Sequence, residues 1–147
     1  MNSGEQSFRL VMLVSNNQET NYINRKVLEI SKFSVDIISK TSGSSAIEYL
    51  RNHITHPSLL PEFILLDISK PVITGYEFLH AFEQDAKIRK SNIKIIVVSN
   101  SMNTEEIDAI LKRSSVVGYV TKPLLVEKLN TLKFSYLKAP DKKQRIN

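Results

Sequence analysis

The chain has no cysteine and only four glycines among its 147 residues. Without cysteine there is no disulfide framework, no thiolate zinc site and no cysteine nucleophile. Scarce glycine argues against glycine-rich phosphate loops, and neither such a loop nor a Gly-x-Ser-x-Gly elbow is present. The three histidines, His53, His56 and His80, fall outside the ends of the apolar runs, so no catalytic triad is evident. His53 and His56 have a short metal-like spacing, but no acid or cysteine completes it, and solvent exposure explains them better. No apolar run approaches the ~20 residues of a membrane span, and the start, Met1 to Ser7, has neither a basic nor an apolar signal region. These absences make a cytoplasmic protein without a membrane segment the simplest expectation.

What is present fits one soluble domain. A length of 147 residues permits a sizeable core, and a 41% hydrophobic fraction is too apolar for wholesale disorder. The net charge of +5 invites a nucleic-acid reading, but its placement opposes one. Lys138, Lys142, Lys143 and Arg145 face only Asp141 within the last ten residues, and no basic stripe interleaved with aromatics occurs elsewhere. That end reads as a solvated, frayed tail.

Apolar stretches alternate with amphipathic ones, with no internal repeat. Phe8 to Val14 reads as a strand, and Glu19 to Ser31 as a helix whose Tyr22, Ile23, Val27 and Ile30 recur at helical spacing. Ser34 to Lys40 alternates as an edge strand, with Val35, Ile37 and Ile38 turned inward. Ser42 to Ser45 turns into a helix reaching Ile54, and His56-Pro57 with Leu60-Pro61 imposes an irregular connection. Phe63 to Asp67 is the third strand and Gly75 to Phe82 the third helix, followed by a polar return from Glu83 to Asn92. Ile93 to Val98 is the fourth strand. Thr104 then caps a helix that turns Ile107, Ile110 and Leu111 inward. Val116 to Val120 is the fifth strand, and Leu124 to Tyr136 the last helix, with Leu125, Leu129, Leu132 and Tyr136 near one face. Strict alternation implies an α/β domain with a five-stranded parallel sheet covered on both faces.

Three of these strands end in chemistry. Asp67 closes Phe63-Ile64-Leu65-Leu66, Ser99 closes Ile93 to Val98, and Lys122 follows Val116 to Thr121. In an open parallel sheet the strand C-termini share one edge, where ligands bind. An acid, a hydroxyl and an ammonium would therefore converge. Singly, each has a plainer role as a turn residue, a helix cap or a surface charge.

These residues carry a family resemblance. Ile64-Leu65-Leu66-Asp67, Pro71 with Gly75, Val97-Val98-Ser99, and Gly118-Tyr119-Val120-Thr121-Lys122-Pro123 resemble the receiver domain of two-component response regulators, particularly the small stand-alone type. The resemblance covers residues 8–137 and leaves 1–7 and 138–147 as flexible termini. It implies a doubly wound, flavodoxin-like fold with strand order 2-1-3-4-5, and a signalling protein rather than an enzyme. It further implies that Asp67 is the phosphoacceptor, a carboxylate nucleophile toward a phosphohistidine. Ser99 and Lys122 would hold the phosphoryl oxygens. Tyr119 matches a switch aromatic, with core packing as its other reading. Pro123 matches a proline preceded by a cis peptide.

The sequence departs from the family where an acidic pair, which helps to bind Mg²⁺, should follow the first strand. Ser15 and Asn16 stand there. Replacing them takes the pocket from three formal negative charges to one, so Mg²⁺ would be held weakly by Asp67, the Asn16 amide and the Ser69 carbonyl. Lys70, at a position where the family usually has methionine, is either a surface lysine or a partial substitute for the metal's charge. Two functions follow. One is a phosphorelay receiver that takes a phosphoryl group from a histidine kinase or phosphotransfer protein and signals to a downstream protein. The alternative is a phosphorylation-independent pseudo-receiver that serves as a protein-binding module. A homodimer through the last helix stays open.

Overall fold

The computed structural model describes residues 7–68 and 73–147, and of residues 73 and 74 only the backbone. Four strands, β1 (Phe8–Val14), β3 (Phe63–Ile68), β4 (Lys94–Ser99) and β5 (Val116–Thr121), are buried along almost their whole length. Their near-continuous apolar runs are what a parallel sheet covered on both faces requires. Strand β2 (Ser34–Lys40) lies at one edge and is largely half-buried or exposed, as its polar alternation allows. Val35, expected to point inward, is 72% exposed, whereas Ile37 and Ile38 make the apolar contacts expected of them.

The strand order is β2-β1-β3-β4-β5-β6, and every pairing is parallel. The sheet therefore has six strands where the sequence predicts five. The extra one, β6 (Gln144–Ile146), lies in the stretch read as a solvated tail, and three residues with one aliphatic side chain give no strand pattern. Alternate residues of β1 divide the core. Met12 and Val14 join Ala46, Leu50, Phe78, Leu79, Ile107 and Tyr119 on one face, and Val11 and Leu13 join Leu28, Phe33, Leu129, Leu132 and Tyr136 on the other.

The helices are α1 (Gln18–Ser31), α2 (Gly43–Asn52), α3 (Ile73–Gln84), α4 (Ala86–Lys90), α5 (Thr104–Leu111) and α6 (Val126–Lys138). The inward face of α1 is the one expected only at Val27, which is half-buried against the core. Asn21, Asn24, Leu28 and Ser31 are buried, while Tyr22, Ile23 and Ile30 are exposed. The polar return after α3 contains the short helix α4, because the Asp85 carboxylate accepts from the backbone N–H of Lys87 and Ile88, both at 3.0 Å, and Ile88 is buried. Asn103, rather than Thr104, caps α5 by accepting from Glu106 N at 3.0 Å. Leu125 precedes α6 as its N-cap and is 42% exposed, so Leu124 takes the inward position instead.

Candidate functional site

Register brings the site together. Asp67 pairs with Val98 and Ile68 with Ser99, while Ser99 pairs with Thr121. Asp67, Ser99 and Lys122 thus lie at one sheet edge, as the strand ends predict. Gly75 helps to shape this edge. A Cβ there would come within 2.6 Å of the Ile68 side chain, so the start of α3 approaches the end of β3 more closely than an alanine would permit.

The Lys122 ammonium donates to Asp67 Oδ1 at 2.7 Å, with the carboxylate almost wholly buried and the lysine side chain one-fifth exposed. Lys122 N also donates to the Ser99 carbonyl at 2.9 Å, and the Lys122–Pro123 peptide is cis. Ser99 is buried, and its hydroxyl oxygen accepts from Ser101 N at 3.2 Å. Tyr119 is fully buried in the core, and its hydroxyl donates to the Ser101 carbonyl at 2.8 Å. Ser99 and Tyr119 therefore grip the same residue of the loop leading into α5. The packing reading of Tyr119 and its link to the site are both present in one side chain.

The β1–α1 loop is held by its own hydrogen bonds. Ser15 is buried, and its Oγ accepts from Asn17 N at 3.1 Å, while Asn17 Oδ1 caps α1 by accepting from Thr20 N at 3.0 Å. Asn21, from the buried face of α1, donates to the Lys40 carbonyl at 3.0 Å and to the Ser15 carbonyl at 3.4 Å. It thereby ties the ends of β1 and β2 together. Ser15 and Asn16 share a cavity of about 100 Å³ with Asp67 and Gly75. A second cavity, of about 330 Å³, opens on the other side of Asp67 and Lys122 and is lined by Thr20, Ile23, Asn24, Asn100 and Leu124. Ile23, expected on the inward face of α1, is exposed and lines this cavity, and sequence periodicity missed Asn24, whose amide carries no apolar signal.

Ser69, Lys70 and Pro71 lie outside the described residues, as does the Thr74 side chain. The donor set that is described does not compose a resident Mg²⁺ site. A hard divalent cation draws on one or two carboxylates with further oxygens. Here the described donors are one carboxylate, already paired with an ammonium, and the neutral side chains Ser15 and Asn16. Among the described residues no group of three or more histidine, cysteine, aspartate or glutamate side chains is placed to hold a metal. His53 is half-buried at the end of α2, its ring nitrogen against the Tyr49 carbonyl at 2.7 Å, rather than simply exposed.

Comparison with known proteins agrees with this architecture. The sequence matches the response regulator receiver domain over residues 11–132. The chain belongs to that family. The polar-differentiation response regulator DivK of Brucella ovis is 30% identical over 128 residues, covering 86% of this chain and 94% of DivK. The probable methanogenesis regulatory protein FilR2 of Methanothrix harundinacea is 27% identical over 120 residues, covering 82% of this receiver and 76% of FilR2. A two-component response regulator from Cytophaga hutchinsonii has a crystal structure that superposes with a TM-score of 0.77 at 27% identity, covering 90% of this chain and 98% of that one. The six-stranded α/β sheet is thus a flavodoxin-like receiver fold, and the chain is a two-component signalling module.

Proposed function

We propose that this receiver accepts one phosphoryl group on Asp67 from a histidine kinase or phosphotransfer protein and passes the signal to another protein. The observation that carries this reading is the 2.7 Å Asp67–Lys122 pair beside Ser99 at the sheet edge. The Asp67 carboxylate is the nucleophile: an oxygen attacks phosphorus, the bond from phosphorus to the donor histidine nitrogen breaks, and that nitrogen keeps the electron pair. Lys122 leaves the carboxylate for a phosphoryl oxygen, and the Ser99 hydroxyl donates to another. Ser101 joins Ser99 to Tyr119, which gives phosphorylation a physical route to the α5–β5–α6 face by favouring one of two conformations.

A second reading has its own support. Neutral Ser15 and Asn16, with Asp67 already satisfied electrostatically by Lys122, suit a receiver that keeps its partner surface without turning over phosphate. Incubation with a small phosphodonor, with and without Mg²⁺, followed by intact-mass analysis of wild type and Asp67→Asn, separates the two. One phosphoryl group on wild type and none on Asp67→Asn supports phosphotransfer; an unmodified wild type at high Mg²⁺ supports the binding module.

A further inference from the structure

The C-terminal residues do more than extend the sheet. Gln144, Arg145 and Ile146 pair in parallel with Gly118, Tyr119 and Val120, so they cover the outer edge of the strand that carries Tyr119. The Lys143 ammonium donates to three carbonyls at the end of α5 and the start of β5: Leu111, Arg113 at 2.8 Å and Val116 at 2.9 Å. The last carbonyls of a helix lack intrahelical partners and carry the negative end of its dipole, so a cation is favoured there. Ile146 is half-buried against the core cluster that contains Val120, Leu129 and Leu132. Strand pairing, an ammonium on a cluster of carbonyls and an aliphatic contact three residues later are the elements of peptide recognition by strand addition.

We propose that the β5 edge, the carbonyl cluster of Leu111, Arg113 and Val116, and the apolar contact for Ile146 form a docking surface for an extended basic segment of pattern Lys-x-x-aliphatic. The chain's own tail occupies this surface, and a partner strand of that pattern must displace it. The proposal rests on how the tail is seated and is independent of phosphorylation at Asp67. Because β5 also carries Tyr119, displacement acts on the strand and helix through which this receiver would signal.

The test uses the full chain and a synthetic peptide of residues 140–147. Hydrogen exchange on wild type should show protected amides at Gln144 and Ile146, whose N–H groups face β5, and along 117–120. A full-length Lys143→Gln, Ile146→Pro variant loses the ammonium, the Ile146 N–H that faces β5 and the aliphatic contact, and should release the tail. NMR titration should then show the peptide shifting residues 111–120 of the variant at a concentration about tenfold or more below that needed for wild type. A peptide carrying Lys143→Gln should bind the variant about tenfold more weakly, the loss expected for hydrogen bonds to a charged group. Rapid exchange at Gln144 and Ile146 in wild type, equal peptide affinity for both proteins, or equal affinity of the two peptides would each overturn the proposal. Should the variant fail to fold, wild type titrated with the two peptides decides: tighter binding of the unsubstituted peptide at residues 111–120 supports the proposal, and equal binding of the two rejects it.

Discussion

At Asp67 a carboxylate and an ammonium 2.7 Å apart cancel their formal charge, so the site offers little attraction to a divalent cation. Ser15→Asp with Asn16→Asp should therefore tighten Mg²⁺ binding by on the order of tenfold or more, since coordination by hard oxygens scales with ligand charge. Isothermal titration calorimetry checks this, and unchanged affinity would refute the charge account. The same variant should melt at a lower temperature without metal, because three carboxylates crowd one pocket. Ser99→Ala should weaken binding of the phosphoryl mimic beryllofluoride by about 1.5 to 3 kcal/mol, the value of a hydrogen bond to a charged group, read as a higher Kd. The convergence of Asp67, Ser99 and Lys122 was legible in the sequence because Asp67 and Ser99 directly follow buried apolar runs and Lys122 follows one after Thr121. Asn21 and Asn24 were not, because a buried amide has no periodic signature, and its value lies in carbonyls such as that of Lys40 that only folding brings near.

Helix α1 shows where element-level reading fails. Its apolar residues recur at helical spacing, yet the helix packs beside the sheet edge, where backbone carbonyls need donors, so an amide-bearing face turns inward and Tyr22, Ile23 and Ile30 face water. Leu28→Ala should cost about 2 to 5 kcal/mol, as for a fully buried leucine, whereas Ile30→Ser should stay within about 0.5 kcal/mol. Urea denaturation distinguishes them. On the other flank, Tyr136 donates to the Val117 carbonyl at 2.8 Å, and its hydroxyl lies 2.5 Å from where a Gly118 Cβ would sit. Gly118 is thus required by close approach, and Gly118→Ala should destabilise the fold. Burial raises the Tyr136 hydroxyl well above the usual tyrosine range. Its contribution is therefore complete below the unfolded value of about 10 and is lost as pH rises beyond it. Wild-type stability should fall above about pH 10, and Tyr136→Phe should lessen that fall, which thermal melts across pH 8 to 11 would show.

Across the whole molecule, the alternation of strands and helices foretold a parallel sheet, because continuous apolar runs fit strands buried on both faces, while its order from β2 to β5 was legible only through the family resemblance. The sixth strand was illegible, since β5 backbone groups, the Lys143 contacts and the packing of Ile146 on the core hold it, and none of these leaves a pattern in three residues. Among the described residues no helix is long and apolar enough to cross a membrane. The fold thus delivers one acid, one hydroxyl and one ammonium to a single edge and links that edge through Ser101 and Tyr119 to the face that the tail covers. Whether this edge performs phosphoryl transfer is most directly tested by intact mass after exposure to a phosphodonor at millimolar Mg²⁺. Wild type should gain the mass of one phosphoryl group and Asp67→Asn none; an unmodified wild type, or equal labelling of both proteins, would show that Asp67 is not a phosphoacceptor.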